Sequence, residues 1–186
     1  MARVAEPAAG EDGDALYIEG YFAVFNTIYE LWPGATESIA PGAFDESVSD
    51  DVRALYNHNT DLVLGRTAAG TMEIKQDSHG LWGRVKINRE DTDAMNAYAR
   101  IRRGDITGCS FGFDIAAQET DYREDGTVHW TLTQISPLYE ISPCTFPAYQ
   151  ETVVSARKRD WEDIRKKRSE MWKYQTREKL KNIVSR

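Results

Sequence analysis

Short stretches of alternating apolar and polar residues recur along the chain from about residue 15 to residue 141. Alternation with a period of two is typical of strands that bury one face. Turn signals separate these stretches, for example Glu-Asp-Gly at 124–126. A succession of short strands favours an antiparallel sheet or barrel. The predicted strands are residues 16–25, 52–56, 71–76, 81–87, 109–116, 128–133 and 138–141.

One central helix interrupts the predicted strands. Asp91 or Thr92 can cap its start by accepting hydrogen bonds from exposed backbone amides, and Gly104 stands where helices commonly end. A shorter helix is predicted at 41–48, entered through a proline. The pattern therefore predicts an α+β, β-rich body.

The two ends of the chain differ from this body. Residues 1–14 are mainly Ala, Gly, Pro and acidic residues, which predicts disorder. Residues 157–186 lack Gly and Pro and are rich in Lys, Arg and Glu, which predicts a basic helical tail. We expect the tail to dock on the body or on a second copy. The folded domain is predicted to span residues 15–156.

Charge is distributed unevenly along the chain. Residues 157–186 carry twelve basic and five acidic groups, so the net charge of -7 leaves -14 for residues 1–156. Binding to nucleic-acid phosphates needs a dominant positive face, so the acidic body argues against that function. The basic tail could still contact an acidic partner.

Other features exclude further classes of protein. No apolar run approaches the roughly 18 residues of a membrane span, and the first 14 residues lack the apolar core of a signal peptide, so a soluble cytoplasmic protein is expected. Cys109 and Cys144 form neither a disulfide framework nor the paired spacing of a zinc site. We expect no metal or other cofactor.

The sequence Gly-Cys-Ser-Phe-Gly at 108–112 matches the Gly-x-Ser-x-Gly pattern of a nucleophile elbow, which exposes a serine on a sharp turn. That elbow requires a helix after the serine, whereas the residues after Ser110 alternate like a strand. The other interpretation is a strand whose small residues let neighbouring backbones approach. Both interpretations stay open.

A serine nucleophile needs a base, and the chain has three histidines. His79 falls in a predicted turn and His129 on a predicted strand. His58 ends the strand segment Ala-Leu-Tyr-Asn-His at 54–58 and enters the polar turn Asn-Thr-Asp at 59–61, a position that suits a titratable ring facing a cleft. Glu140 stands among apolar neighbours, so it lies on the exposed face of a strand or is held for a purpose. For each histidine, an ordinary solvated or packed side chain is the alternative.

Three segments carry a joint pattern. They are Leu-Tyr-Asn-His at 55–58 with Val-Leu-Gly-Arg at 63–66, Gly-Cys-Ser-Phe-Gly-Phe at 108–113, and Glu-Ile-Ser-Pro at 140–143 with Phe-Pro-Ala at 146–148. In this order they resemble the caudovirus prohead maturation serine proteases. Pro-Gly-Ala-Phe at 41–44 and Gly-Leu at 80–81 fit the same pattern. The resemblance covers about residues 15–156.

The resemblance implies a fold akin to the herpesvirus assemblin proteases, an antiparallel β-barrel with surrounding helices. It also implies a role inside the assembling procapsid in the host cytoplasm. Such proteases cleave the scaffolding region from the major capsid protein and usually cleave themselves, and the tail at 157–186 is a candidate for that self-cleavage. Other procapsid components and a second copy of the chain are further expected partners.

By the same resemblance, Ser110 matches the nucleophile, His58 the general base and Glu140 the acidic third member. Cys109 is the adjacent thiol, but neighbouring side chains on a strand point to opposite faces, so it cannot share His58 with Ser110. A backbone amide near Ser110 or from residues 100–104 is expected to form the oxyanion hole. The competing hypothesis is a non-catalytic capsid assembly or scaffolding protein.

Overall fold

The computed structural model of the chain describes residues 1–6 and 13–147, together with Lys166 and Lys173. The chain divides into two compact units, Met1–Ala148 and Tyr149–Arg186. In the second unit the two described lysines are helical. The rest of the predicted tail at 157–186 lies outside the described residues. All further description concerns the first unit.

The described part of the first unit contains ten strands, one α-helix and one short 3-10 helix. In chain order they are β1 (Arg3–Ala5), β2 (Leu16–Val24), β3 (Tyr29–Trp32), β4 (Ala35–Ile39), the 3-10 helix (Ser47–Ser49), β5 (Arg53–Tyr56), β6 (Asn59–Arg66), β7 (Met72–Gln76), β8 (Gly80–Ile87), α1 (Thr92–Arg103), β9 (Gly108–Tyr122) and β10 (Val128–Cys144).

The strands form two sheets. The first is antiparallel, with the order β1-β2-β8-β7, and the second has the order β3-β4-β10-β5-β6. In the second sheet β9 pairs antiparallel with one edge of β10 along its length. On the other edge of β10, β4 and then β5 pair with it in parallel. The strand that carries Glu140 is therefore central to the second sheet.

The local signals for α1 agree with its observed bounds. The Asp91 carboxylate accepts hydrogen bonds from the amides of Asp93 and Ala94, and Gly104 ends the helix with a φ of 84°. One face of the helix is buried against the strands, including Ala97 and Ile101. The turn predicted at 124–126 is also confirmed, because it connects β9 to β10.

The apolar core lies between the two sheets. Ile18 and Leu81 from the first sheet and Leu132 and Ile141 from the second are fully buried. The sheets approach closely at Gly83, where a Cβ atom would lie 2.6 Å from Ile141 Cδ1. Each large aliphatic side chain buried here stabilises the fold by about 1.5–3 kcal/mol. Successive side chains of a strand point to opposite faces, so when Ile141 faces the core, its neighbours Glu140 and Ser142 lie on the other face of β10.

The predicted fold class, an antiparallel β-barrel with surrounding helices and a C-terminal helical tail, is wrong. The described residues form two open sheets, and no closed barrel is present among them. Two of the strand pairings are parallel, and one α-helix accompanies the sheets in the described first unit. Beyond the two helical lysines at 166 and 173, the described residues also include no C-terminal helical tail.

Several local predictions also differ from the structure. Where a helix is predicted at 41–48, residues 41–46 form turns that lead into the 3-10 helix at Ser47–Ser49. The strands predicted at 128–133 and 138–141 are parts of one strand, β10. Pro137, which has no backbone N–H, is tolerated there because the pairing of β10 with β9 shifts register between Ile135 and Leu138. Within the segment 1–14, whose composition predicts disorder, Arg3–Ala5 pair with β2. No helix in the described part of the chain has the length and apolar character to cross a membrane.

Candidate active site

His58 lies in the two-residue connection between β5 and β6. Tyr56 pairs with Asn59 across this turn, and both Asn57 and His58 have left-handed backbones, with φ values of 54° and 58°. Positive φ at both central positions matches a type I′ hairpin turn, which asparagine tolerates well. The predicted strand 54–58 ends two residues early, at Tyr56, and the turn predicted at 59–61 is part of β6. His58 therefore lies in the turn itself, at the end of a strand hairpin rather than at the end of a strand.

The turn is attached to the end of β10. The Asn57 amide donates to the Pro143 carbonyl at 3.1 Å. Its side-chain oxygen accepts from the Thr145 amide at 2.8 Å. Because these two bonds hold the hairpin against β10, the imidazole of His58 is carried toward the residues at 140–144.

Glu140 meets His58 across the sheet. The distance between Glu140 Oε1 and His58 Nδ1 is 2.7 Å, and Glu140 is largely buried. The other carboxylate oxygen, Oε2, accepts the hydroxyl hydrogen of Ser142. The Ser142 Oγ in turn accepts from the His58 amide at 3.2 Å. The alternative of an exposed, unengaged Glu140 therefore does not hold.

Ser110 lies on β9 beside this network. It stands directly opposite Ser142 in the β9–β10 register, as Gly112 stands opposite Glu140. Residues opposite each other share a face, with Cβ atoms about 4.5–5.5 Å apart. The structure therefore brings Ser110, His58 and Glu140 to one face of the second sheet, and Ser110 is only 8% exposed.

The second imidazole nitrogen of His58 remains available. Nε2 is buried and has no hydrogen-bond partner among the described residues. No hydrogen bond joins it to Ser110 in that part of the chain. Catalytic hydrogen bonds are often long without substrate and shorten in the complex. A buried acceptor nitrogen on the sheet face that also carries a serine is compatible with general-base catalysis.

The two glycines of the motif at 108–112 are explained by close packing on β10. A Cβ atom at Gly108 would lie 2.5 Å from the Cys144 carbonyl oxygen, and one at Gly112 would lie 2.7 Å from Glu140 Oε1. The motif continues into β9 rather than into a helix. The strand interpretation is therefore confirmed, and Gly112 leaves the space that the Glu140 carboxylate occupies.

Electrostatics at the site favours a proton on His58. The hydrogen bond to Glu140 raises the pKa of His58 above its usual value, and burial, which lowers it, is the weaker cause. In the neutral ring, Nδ1–H donates to Glu140 and Nε2 keeps its lone pair. Glu140 therefore selects the tautomer in which Nε2 can accept a proton.

The two thiols are poor nucleophiles here. Burial raises the pKa of Cys109, and burial followed by the nearby Cys109 and Glu140 raises the pKa of Cys144 to about 11. Since the thiolate is the reactive form, both remain largely unreactive at neutral pH. Cys109 also points away from the face that carries Ser110.

The other two histidines lie elsewhere. His79 packs edge-on against Tyr21 with ring centroids 4.4 Å apart. His129 lies on β10 and contacts the hydroxyls of Thr36 and Ser38 at 2.8 and 2.9 Å. Neither is joined to the network of His58. Among the described residues, no group of three or more His, Cys, Asp and Glu side chains could hold a metal ion.

Ser142 is the member of the network that sequence reasoning missed. The signal was present, because Glu140 and Ser142 are two positions apart on one strand and therefore share a face. The contribution of Gly112 was missed as well, since it depends on which strand lies opposite.

A serine beside a carboxylate-bound imidazole defines a candidate serine hydrolase site, and comparison with known proteins identifies the family. The family described as caudovirus prohead serine protease matches residues 3–167, and the chain belongs to this family. The resemblance seen in the sequence is thus confirmed.

One relative is the prohead protease of Enterobacteria phage HK97. It is 29% identical over 151 residues, which are 79% of this chain and 62% of the HK97 protein. The chain thus spans less than two thirds of the length of this relative. No solved structure matches the chain.

Proposed function

We propose that the chain is a serine endopeptidase of phage procapsid maturation. It cleaves the scaffolding region of the major capsid protein, and itself, by acyl transfer through Ser110. The observation that carries this proposal is the 2.7 Å contact between His58 Nδ1 and Glu140 Oε1. This contact lies on the sheet face that carries Ser110, and it leaves His58 Nε2 without a hydrogen-bond partner among the described residues. Family membership and the HK97 relative support the same activity.

In the acylation step, Ser110 Oγ attacks the peptide carbonyl carbon while His58 Nε2 takes the hydroxyl proton. Glu140 stabilises the imidazolium through Nδ1–H. The carbon–nitrogen bond then breaks as His58 gives its proton to the leaving amine. The products of this step are an ester on Ser110 and the released amine fragment.

Deacylation uses the same groups, with water as the nucleophile and Ser110 as the leaving group. His58 Nε2 takes a proton from water while the water oxygen attacks the ester carbonyl carbon. The bond between that carbon and Ser110 Oγ then breaks as His58 returns the proton to Ser110 Oγ, and the carboxylic acid fragment is released. Backbone amides near Ser110 or from residues 100–104 stabilise the oxyanion in both steps. The reaction consumes one water per peptide bond and regenerates the free serine.

We place this activity inside the assembling procapsid in the host cytoplasm. The proposed partners are the major capsid protein with its scaffolding region and the other procapsid components, and a second copy of the chain is a further candidate. Self-cleavage would fall near the junction between the domain at 15–156 and the tail at 157–186.

The test is co-expression with the cognate major capsid protein, followed by intact mass spectrometry of both chains. With the wild-type protein, we expect trimmed capsid subunits and self-derived fragments. With Ser110→Ala, both should disappear. Ser47→Ala is the matched control, since Ser47 is fully buried outside the site and bonds the Phe44 carbonyl. Undiminished trimming by Ser110→Ala would instead support a non-catalytic assembly protein.

A further inference from the structure

We infer that Ser142 is a positioning residue for the proposed acyl transfer, because it holds the Glu140 carboxylate and the backbone of His58 in one geometry. This inference rests on the proposed function for its kinetic consequence. Its structural part, the control of the His58–Glu140 contact, can be measured without any substrate.

Ser142 links two elements that are distant in the sequence. Its hydroxyl donates a hydrogen bond to Glu140 Oε2 on β10. Its oxygen accepts a hydrogen bond of 3.2 Å from the backbone amide of His58, which is 84 positions away in the sequence. A serine hydroxyl has one hydrogen to donate and two lone pairs to accept with. Here the hydrogen is directed to the acid and a lone pair to the base.

The orientation of the Glu140 carboxylate depends on this donor. The last torsion of a glutamate side chain has broad energy wells, so the carboxylate rotates readily unless its oxygens are bound. With Oε2 held by Ser142, Oε1 faces His58 Nδ1 at 2.7 Å. Without the hydroxyl, the carboxylate can rotate away and the contact weakens.

The backbone of His58 also depends on Ser142. His58 has a φ of 58°, a conformation that side-chain-bearing residues adopt only when the surroundings impose it. The bond from its amide to Ser142 Oγ and the two bonds of Asn57 to the end of β10 supply that constraint. Of these, the Ser142 bond acts on His58 itself.

Position and burial agree with this role. Ser142 is fully buried and stands directly opposite Ser110 on the neighbouring strand. Its hydroxyl is therefore enclosed by the residues of the proposed reaction. By contrast, Ser47 is equally buried, but its hydroxyl lies 3.4 Å from a carbonyl three residues earlier. Ser47 serves as the control for loss of a buried serine hydroxyl.

The experiment compares the full-length wild type with Ser142→Ala, Ser142→Thr and Ser47→Ala. The pKa of His58 is measured by NMR from its Cε1–H resonance, and kcat and KM are measured on a peptide from the scaffolding region. The charged group that shifts the pKa of His58 is Glu140 on β10. The other titratable groups there are the thiols of Cys144 on β10 and Cys109 on the facing β9, whose raised pKa values keep them protonated.

In Ser142→Ala, we expect the pKa of His58 to fall toward the ordinary imidazole value, because the bond to Glu140 that raises it is weakened. We expect kcat to fall about 10-fold, the factor that corresponds to one hydrogen bond to a charged group, with KM little changed. Ser142→Thr keeps the hydroxyl and should restore both values, and Ser47→Ala should leave both at the wild-type level.

The inference is overturned if Ser142→Ala matches Ser47→Ala in both the pKa of His58 and kcat. A rise in that pKa would also overturn it, since the contact with Glu140 would then have survived. If Ser142→Ala does not fold, Ser142→Cys keeps the side-chain volume but donates weakly, and an unchanged pKa of His58 there has the same meaning. Failure of the proposed function is separate, because it appears as full cleavage by Ser110→Ala.

Discussion

The two ends of β10 each engage a histidine, but with different partners. At one end His129 contacts the hydroxyls of Thr36 and Ser38 through both ring nitrogens. At the other end His58 contacts Glu140 through Nδ1, and Nε2 is buried without a partner in the described part of the chain. A ring with both nitrogens occupied joins β4 to β10, whereas a ring with a carboxylate on one nitrogen and the other free can move a proton.

The largest expected effect comes from removing the two imidazoles separately. His58→Ala should lower kcat/KM for peptide cleavage by about 10⁴-fold or more, because the serine loses its base. His129→Ala should keep nearly wild-type kcat/KM, since its ring contacts only the two hydroxyls. The measurement is cleavage of a scaffolding-region peptide, followed by chromatography. Equal losses in the two variants would remove the contrast between the ends of β10.

Next in size is the loss of the carboxylate charge. Glu140→Gln keeps the size of the side chain but cannot stabilise the imidazolium, so kcat should fall about 10²- to 10³-fold with a small change in KM. Glu73→Gln, an exposed carboxylate on β7, is the matched control. A Glu140→Gln variant with wild-type kcat would show that Glu140 does not assist the base.

A smaller effect is expected from filling the space over the motif at 108–112. Gly112→Ala would place a methyl group 2.7 Å from Glu140 Oε1, so the carboxylate must move. We expect kcat to fall about 10-fold, because small displacements of positioning groups are costly. Gly13→Ala, where the added methyl meets no atom within 4 Å, is the control. If both variants cleave equally well, the space at Gly112 has no role in placing Glu140.

The pH dependence distinguishes the two rings further. Cleavage needs neutral His58, and its pKa is raised by the bond to Glu140. Activity should therefore fall as the pH drops through a midpoint above the ordinary histidine value of about 6.5. In Glu140→Gln the residual activity should have a lower midpoint. We expect no such shift in Ser38→Ala, and a kcat/KM profile that stays flat below the ordinary value would contradict the assignment of His58.

The smallest expected effect concerns stability. Ser38→Ala removes one of the two hydroxyl contacts of His129, so the free energy of unfolding should fall by about 1 kcal/mol while kcat/KM stays at the wild-type value. Denaturant unfolding and the peptide assay measure the two quantities. A large loss of activity would mean that the His129 end of β10 also takes part in the reaction.

Local features of the fold could be predicted, and non-local pairing could not. The bounds of α1 follow from Asp91 and Gly104, whose capping acts within a few residues. The parallel pairing of β10 with β4 and β5 depends on contacts between distant segments, which alternation does not encode. The barrel came from the resemblance and is wrong, and the alternation could not correct it because it suits an open mixed sheet equally well.

The candidate site shows the same division. Residue type and turn position singled out His58, and Ser110 and Glu140 entered through the motif and the resemblance, before any geometry was known. The contribution of Ser142 depends on the register that sets it opposite Ser110 and on a turn that carries His58 to it. Such a link forms only when β5, β9 and β10 are assembled.

The most direct measurement of the central claim is the reaction of the purified full-length chain with a fluorophosphonate, which forms a phosphorus–oxygen bond to an activated serine and releases fluoride. Peptide mapping by mass spectrometry locates the adduct. If His58 activates Ser110, the adduct lies on Ser110 in the wild type and in His129→Ala, and it is lost in His58→Ala. An adduct that forms on Ser110 at the same rate in His58→Ala, or none on Ser110 in the wild type, would contradict the account.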